Sequence, residues 1–270
     1  MSGESSPEAT LAQVFDEGAG AYDEYWAPNL HRHATDLVAG IPSPGPGSPR
    51  TVVDVAVGAG TLIPQLRAAA GPDGVVLALD RSLGMLRRAS ADVARIQADA
   101  ARLPLADSSA DVVVMAFVLF MLPDARIAVG EVARVLRPDG WLLTATWGTQ
   151  FETAAEVIVR EEVEAAGPPP FPELPRSDEL TDSADRLSNL LGSAGFGQVR
   201  TLERPLEAVF DASSVLAACT GFGRLGWRYS RLSAAAQDGV RTRAGARLRR
   251  LPAEQFIDRS AVLLTTARRP

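Results

Sequence analysis

The middle of the chain alternates between two patterns of apolar and polar positions. Runs of nearly continuous apolar residues predict strands at Thr51–Ala56, Gly74–Asp80, Arg95–Ala98, Asp111–Phe117 and Trp141–Thr146. The segments between them have helical apolar spacing and predict helices at Thr61–Ala70, Ser82–Val93 and Asp124–Leu136. Strands of this kind alternating with helices indicate an α/β fold with a parallel sheet covered on both faces.

The two flanks of this region are less regular. Helices are predicted at Glu8–Tyr25 and His31–Val38, before a Pro/Gly/Ser-rich loop at 41–50. After the sheet region the pattern predicts helices at Phe151–Ala166 and Ala184–Ala194 and strands at Gly197–Arg204 and Ala261–Arg268. We therefore expect a core formed by 51–150, 181–210 and 259–270, an N-terminal helical cap at 1–50, and helical lid segments at 151–180 and 211–258.

Composition narrows the classes of protein that remain. A length of 270 residues allows a sizeable core, and a net charge of −6 gives no general attraction to nucleic acid. Every basic residue is Arg, so neither a Lys Schiff base nor a Lys general base is available. The single Cys219 excludes an internal disulfide and a cysteine metal cluster. With no secretory leader and no long apolar run, we expect a cytoplasmic protein without a membrane segment.

The stretch VVDVAVGAGT, Val52–Thr61, runs from a strand into a Gly-x-Gly turn and then a helix. Ligands of open parallel sheets bind beyond the carboxyl ends of the strands, which is where this turn lies. A dinucleotide loop needs a third glycine, but Ile63 stands at that position, and a P-loop needs a Lys. The turn therefore predicts a ligand other than a dinucleotide or a nucleoside triphosphate.

Carboxylates at two later strand ends identify the kind of ligand. Asp80 closes the second strand, about 20 residues after the glycines, where an acid accepts hydrogen bonds from a ribose diol. Asp99 follows the third strand and is suited to accept from an adenine amino group, with the backbone amide of Ala100 beside it. Ribose and adenine positions without a phosphate position predict a nucleoside ligand.

With these residues in place, the chain resembles class I S-adenosylmethionine-dependent methyltransferases, in the branch of ubiquinone/menaquinone-type and small-molecule enzymes. The resemblance is carried by the acidic, glycine-rich signature Asp54–Gly60, by Asp80, by Asp99–Ala100, and by the segments LPLADSSADVV and EVARVLRPDGWL. It implies a Rossmann-like, seven-stranded, mostly parallel sheet of strand order 3-2-1-4-5-7-6. It also implies S-adenosylmethionine as cofactor and S-adenosylhomocysteine as product. The cofactor-binding residues it implies are Tyr25, Asp54, Ala56, Gly58, Gly60, Asp80, Arg81, Met85, Asp99, Ala100 and Phe117.

One position departs from the family pattern. Ala56 stands where the signature has its first glycine, and Val57 follows it. The added methyl group narrows the approach to the methionine part of the cofactor, but it brings no charge and no large steric block. We expect cofactor binding to be retained.

Catalytic candidates are few, because a methyl transfer needs a base only when the acceptor must lose a proton. His31 and His33 are the only imidazoles, and their spacing places them on different sides of a helix, so we predict no metal site. Either they are solvated residues of a surface helix, or one closes over the substrate as general base. Tyr22 and Tyr25 likewise either cover the cofactor or pack an amphipathic helix.

The segment Ala116–Asp124 is apolar and predicts a hydrophobic surface beside the cofactor. The residues expected to line a substrate pocket are Tyr22, Trp26, Phe120, Met121, Trp147 and Trp227, although aromatic residues at such places are as often core. The expected substrate is a small, largely apolar metabolite such as a quinone, a polyketide or another secondary metabolite. We expect no nucleic-acid or membrane partner, and either a monomer or a homodimer.

Two other functions fit the same residues. A cyclase or pericyclase would hold the cofactor without transferring its methyl group, which suits the lack of an evident base and the Ala56 departure. A non-enzymatic nucleoside sensor or partner subunit is the third possibility, and the presence of both Asp80 and Asp99 disfavours it.

Overall fold

The computed structural model describes residues 7–39, 41 and 48–270. Most of the predicted loop at 41–50 therefore lies outside the described residues. The strands of the described residues are β1 (Thr51–Val55), β2 (Val75–Asp80), β3 (Ala94–Gln97), β4 (Ala110–Ala116), β5 (Leu136–Trp147), β6 (Gly197–Pro205), β7 (Ala208–Val209), β8 (Ile257–Asp258) and β9 (Ala261–Arg268).

Within the described part of the chain, the long strands form a seven-stranded sheet of order β3-β2-β1-β4-β5-β9-β6. This confirms the predicted fold class and strand order, since β9 is the last strand of this sheet along the sequence. Neighbouring strands from β3 to β5 pair in parallel, whereas β9 is antiparallel to both β5 and β6. The inner strands are apolar because both of their faces are covered, as the complete burial of Val52 and Val53 shows.

The helices are α1 (Pro7–Ala21), α2 (Ala27–Ala39), α3 (Ile63–Ala70), α4 (Leu83–Arg88), α5 (Ala125–Val135), α6 (Ala154–Ala165), α7 (Asp178–Thr181), α8 (Ala184–Ser193), α9 (Ala212–Gly221), α10 (Gly223–Ser230) and α11 (Ala234–Leu248). The predicted N-caps of α4 and α5 are present. The Ser82 side chain accepts a hydrogen bond from Met85 N, and the Asp124 side chain accepts one from Arg126 N. Among residues 7–39, 41 and 48–270, no helix is long and apolar enough to cross a membrane.

The predicted break between the N-terminal helices is wrong. A π-helical turn, Tyr22–Trp26, joins α1 directly to α2, and the backbone N–H of Ala27 donates to Tyr22 O. Pro28 has no N–H to give to the preceding turn, and the Asn29 side chain instead donates to Tyr25 O at 2.9 Å. The helix therefore widens at this point instead of ending.

Other boundaries moved for local reasons. The helix predicted from Phe151 begins at Ala154, because Thr153 and Glu156 form a capping box there. The mostly helical segment 211–258 also contains β8, which pairs with β7. Strands of two residues are too short to produce a periodic pattern.

The described part of the chain divides into two compact units. The sheet unit comprises Leu30–Thr149, Pro175–Pro205 and Ala261–Pro270, and it contains the seven-stranded sheet. The helical unit comprises the chain up to Asn29 together with Gln150–Leu174 and Leu206–Ser260. The cap and lid roles predicted for the N-terminal and later helices stay predictions.

Candidate active site

Most of the predicted cofactor residues lie at one edge of the sheet unit. Strand β1 pairs in parallel with β2 and β4, and β4 pairs in parallel with β5. Because parallel strands end at the same edge, the residues at and just after these strand ends meet there. They are Ala56, Asp80, Phe117 and Trp147.

Asp80 is bonded to the glycine turn that follows β1. Its Oδ2 accepts a hydrogen bond from Gly58 N at 2.9 Å, and its Oδ1 accepts one from Ser82 N at 2.8 Å. The backbone of Val57 also donates to Leu79 O at 2.9 Å. The predicted ribose acid and the glycine turn are therefore one rigid structure.

Gly60 has a packing role within this turn. Its φ is +83°, and a Cβ built there would lie 2.8 Å from Ile63 Cδ1 and 2.9 Å from Ala89 Cα. The space above α3 that a dinucleotide loop keeps open with a third glycine is thus occupied by Ile63 against Gly60. This agrees with the inference from the sequence that the turn does not bind a dinucleotide.

Ala56 adopts a left-handed backbone conformation, with φ +60°. Such a conformation costs an L-residue with a Cβ about 1–2 kcal/mol and costs glycine almost nothing. The departure from the family signature therefore places backbone strain at the strand end, in addition to the extra methyl group. Strain of this kind is typical of functional sites.

Asp54 is a buried carboxyl group, with 2% of its surface exposed. Burial, and to a smaller extent the neighbouring charge of Asp80, together raise its pKa to about 7. Near neutral pH, the Asp54 carboxyl group is therefore only partly ionised. A positive charge nearby would stabilise its ionised form.

The predicted adenine position is a tight turn after β3. Ala98 N donates to Asp80 O at 2.9 Å, and Arg102 N donates to Asp99 O at 3.0 Å. The Asp99 side chain accepts from Ala101 N at 2.9 Å and from Arg81 Nη1 at 3.0 Å. Ala100 lies within this turn, and we name residues 98–102 the adenine turn.

Arg81 and Met85, also predicted to bind the cofactor, lie on either side of the N-cap Ser82. Arg81 is held by its ion pair with Asp99, and its carbonyl accepts from Gln97 Nε2 at 3.0 Å. Met85 is completely buried and donates its backbone N–H to the Ser82 side chain. The backbone of Met85 thus caps the start of α4 through Ser82, whereas the Arg81 side chain is exposed beside the adenine turn.

The donor and acceptor chemistry of this edge fits a sulfonium nucleoside. Ribose hydroxyls and an adenine amino group donate hydrogen bonds, and the carboxylates of Asp80 and Asp99 accept them. Asp54 and Asp80 together make the edge acidic, which suits a positively charged cofactor and opposes a phosphate. The residues present therefore fit S-adenosylmethionine.

An apolar surface continues from this edge along β4 and β5. The rings of Phe117 and Trp147 lie with centroids 5.2 Å apart, and Phe117 N donates to Ala145 O at 2.7 Å. Phe117 has φ +58°, which is exceptional for a bulky residue. The backbone strain at Phe117, just after β4, thus accompanies the placement of its ring against Trp147.

Phe120 and Met121 lie in the 3-10 turn Leu119–Met121 that follows Phe117. Phe120 is 9% exposed, and the guanidinium of Arg176 lies 5.3 Å from its ring centroid. Met121 is half-buried against the core of the sheet unit. Both side chains are therefore largely core residues, with a restricted surface for a ligand.

The remaining predicted pocket residues lie in the helical unit. Tyr22 packs on Phe222 with a centroid distance of 5.1 Å. Trp26 packs on Phe210 at 5.9 Å, and Trp227 packs edge-on against Phe171 at 5.2 Å. In Tyr25, a hydrogen bond with Glu24 is the main cause of a raised pKa. The roles predicted for these residues in binding cofactor and substrate stay predictions.

The histidine candidates differ in what the structure describes. His33 lies on α2 with 7% of its surface exposed, so the interpretation as a solvated surface residue is wrong for His33. The side chain of His31 lies outside the described residues. The general-base role stays a prediction for both.

One functional contact was missed in the sequence. Ser82 is recognisable there as an N-cap, but its backbone N–H also holds Asp80 in place. Only one residue separates Asp80 from Ser82, and this short spacing was the feature of the sequence from which the contact could have been predicted. An acid two positions before a helix cap forms this local hydrogen bond readily.

Comparisons with known proteins give the family. A family model described as "Methyltransferase domain" matches residues 53–144. The demethylmenaquinone methyltransferase of Renibacterium salmoninarum is 31% identical over 220 residues, which cover 75% of this chain and 91% of that protein. Residues 53–144, which the family model matches, include the glycine turn, the adenine turn and Phe117 at the end of β4.

Solved structures agree on the fold alone. YcgJ of Bacillus subtilis superposes with a TM-score of 0.58 at 17% identity, covering 88% of this chain and 98% of that one. The [4+2]-cyclase SpnF superposes with a TM-score of 0.50 at 21% identity, covering 89% and 80%. From the similarity to the Renibacterium enzyme over nearly all of its length, the chain belongs to the class I S-adenosylmethionine-dependent methyltransferase family, in its ubiquinone/menaquinone-type branch, and S-adenosylmethionine is its cofactor.

Proposed function

We propose that this methyltransferase acts on a small, largely apolar aromatic acceptor of the quinone type. The observation that carries the proposal is the Phe117–Trp147 ring pair, which lies at the same sheet edge as Asp80. Flat aromatic molecules bind well against such tilted ring pairs. The name of the Renibacterium relative, a demethylmenaquinone methyltransferase, supports the same class of acceptor.

In the proposed mechanism the protein positions and desolvates the reactants. Bound S-adenosylmethionine supplies an electrophilic methyl group and its own leaving group. Asp80 accepts hydrogen bonds from the ribose, and Asp99 with Ala100 holds the adenine edge. Phe117 and Trp147 hold the acceptor ring and exclude water, which favours the in-line geometry of the transfer.

A reduced quinone ring must lose a proton when it is methylated. We propose His33 as the general base, because it lies in the sheet unit and its side chain is described there as buried. His31, whose side chain is not described, is the alternative. His33→Gln should lower kcat by about 10²-fold or more while the Kd of the cofactor stays unchanged. An unaffected kcat would remove His33 from the mechanism and leave His31→Gln as the variant to measure.

The acceptor class is tested by turnover. The purified protein is incubated with S-adenosylmethionine and a demethylated naphthoquinol, with a hydroxylated polyketide-type aromatic, and with a small polar amine as control. Release of S-adenosylhomocysteine together with a methylated naphthoquinol is the expected result. Methylation of the polar amine alone would contradict the proposed acceptor.

The cyclase alternative is separated by the same measurement. SpnF has the same fold, so the fold cannot choose between methyl transfer and cyclisation. A cyclase would convert a polyene substrate into a product of unchanged mass without releasing S-adenosylhomocysteine. A chain that binds the cofactor but converts none of the substrates would instead favour the non-enzymatic function.

A further inference from the structure

One motif singled out in the sequence has no part in the site described so far. The segment Glu131–Leu142 runs from the second half of α5 into β5. On α5, Glu131 and Arg134 form a paired contact across one helical turn. Arg134 Nε donates to Glu131 Oε1 at 2.8 Å, and Arg134 Nη2 donates to Oε2 at 2.8 Å.

The same two side chains bind the backbone of the loop that leaves the adenine turn. Arg134 Nη2 donates to Leu103 O at 3.0 Å, and Nη1 donates to Leu105 O at 2.7 Å. Glu131 Oε2 accepts from Leu103 N at 2.9 Å. Arg134 Nη1 also binds the Asp107 carboxylate at 2.8 Å. One Arg–Glu pair thus satisfies both backbone groups of Leu103.

These bonds fix one end of the adenine turn. Upstream, Ala98 N is bonded to Asp80 O at the end of β2. Downstream, Leu103 is bonded to Glu131 and Arg134, and its side chain is buried with 3% exposed. Asp99 and Ala100 lie on the short stretch between these two fixed points. Their position relative to the ribose acid is therefore set from both sides.

The pair is suited to hold a precise geometry. Its side chains are only 31% and 20% exposed for Arg134 and Glu131, and hydrogen bonding to Arg134 is the main cause of the lowered pKa of Glu131. A planar guanidinium can bind one carboxylate and two carbonyl groups at once, whereas the ammonium group of Lys has no such fork.

We propose that Glu131 and Arg134 are positioning residues for adenine recognition, because they fix Asp99 and Ala100 through the backbone of Leu103 and Leu105. The proposal rests on the proposed function, in which Asp99 and Ala100 hold the adenine edge. In this proposal the pair acts through the backbone and does not itself bind the cofactor. Its effect is therefore expected in selectivity for the base and in the KM for the cofactor, with little change in kcat.

The test compares two ligands that differ at the base. S-adenosylhomocysteine carries the adenine amino group, and S-inosylhomocysteine carries a carbonyl oxygen in its place. Dissociation constants for both are measured by calorimetry on the wild type, Arg134→Met, Arg134→Lys and Glu131→Gln. Arg137→Met is the matched control, since Arg137 follows α5 closely and pairs with Asp111 at 2.6 Å. Among the described residues, no hydrogen bond joins Arg137 to the adenine turn.

We expect Arg134→Met to reduce the preference for S-adenosylhomocysteine by about tenfold, a loss of about 1.4 kcal/mol of discrimination. Binding of S-inosylhomocysteine should change little, and Arg137→Met should keep the wild-type preference. In turnover, the KM for S-adenosylmethionine should rise while kcat stays within about twofold. Arg134→Lys should recover part of the charge but little of the selectivity.

A preference unchanged in folded Arg134→Met would overturn the proposal, whatever the loss of stability, and leave the pair a purely structural role. Should Arg134→Met fail to fold, Glu131→Gln and Arg134→Lys carry the same comparison. Failure of the proposed function has a different signature, because the wild type itself would then show no preference between the two ligands or no turnover of the naphthoquinol.

Discussion

The carboxylate of Asp80 is hydrogen-bonded to the backbone N–H of Gly58, across the ends of two neighbouring strands, at 2.9 Å. Its second oxygen is bonded to Ser82 N at 2.8 Å. Each oxygen keeps further lone pairs for a ligand, so the same side chain can shape the glycine turn and accept from a ribose. Its removal should affect both.

Asp80→Ala is expected to weaken binding of S-adenosylmethionine by about 1–3 kcal/mol, because charge-assisted hydrogen bonds are lost. Titration calorimetry of the two proteins measures this difference. Asp73→Ala, in the exposed turn before β2, is the matched control and should bind like the wild type. An unchanged Kd in Asp80→Ala would mean that the ribose assignment is wrong.

Asp54→Asn should change how stability depends on pH in the cofactor-free protein. The folded-state pKa of Asp54 is about 7, above its value in the unfolded chain. The stabilising contribution of the protonated group is therefore complete below about pH 4 and is lost as the pH rises through about 7, amounting to about 4 kcal/mol. Asp54→Asn cannot ionise at this position, so its stability does not fall for this reason as the pH rises.

Denaturant unfolding at about pH 5 and about pH 8 provides the measurement. The stability of Asp54→Asn relative to the wild type should rise by about 3 kcal/mol between these two pH values, because the wild type loses about 1.4 kcal/mol per pH unit up to about pH 7. The affinity of the variant for the cationic cofactor should fall. The difference between the two proteins isolates Asp54 from other carboxylates. A constant difference across this range would show that Asp54 has an ordinary pKa.

Ala56→Gly should stabilise the protein by up to about 1.6 kcal/mol. Relief of the left-handed conformation gains about 1–2 kcal/mol, and the greater freedom of glycine in the unfolded chain removes about 0.4–1 kcal/mol of this gain. Ala68→Gly, at an exposed position of α3, should instead destabilise by about 0.5–1 kcal/mol. Equal losses in the two variants would contradict the positive φ at Ala56.

Trp147→Leu should raise the KM for the aromatic acceptor by about tenfold, because the ring that faces Phe117 is removed. The Kd of the cofactor should stay the same. Trp141→Leu is the control on the same strand, since Trp141 lies near the middle of β5, six residues before Trp147, with the Arg268 guanidinium over its ring. If both variants have wild-type kinetics, the acceptor does not bind on the Phe117–Trp147 pair.

The sheet and its order were predictable because their signals are local and strong. Continuous apolar strands such as β1 and β4, with helices between them, permit few arrangements, and the resemblance supplied the order. The places of the glycine turn, Asp80 and Asp99 at strand ends were predictable for the same reason, since the ends of these strands are visible in the sequence. Their roles in cofactor binding stay predictions.

The features that were missed depend on contacts between distant residues or on very short elements. The bond from Gly58 to Asp80 and the ion pair of Arg81 with Asp99 need the folded sheet. The π-helical turn was missed because Gly20 and Pro28 favour a break in sequence, while the observed turn keeps the helix continuous. The φ of Ala56 has no signal in a single sequence.

The position of β9 has a consequence for folding kinetics. This strand separates β5 from β6 and is antiparallel to both, and it pairs Trp147 with Val262, far apart along the chain. Pairings of such high contact order form slowly. Until they form, the facing edges of β5 and β6 expose unpaired N–H and C=O groups that another chain can join. We therefore expect folding to compete with aggregation until β9 inserts between β5 and β6.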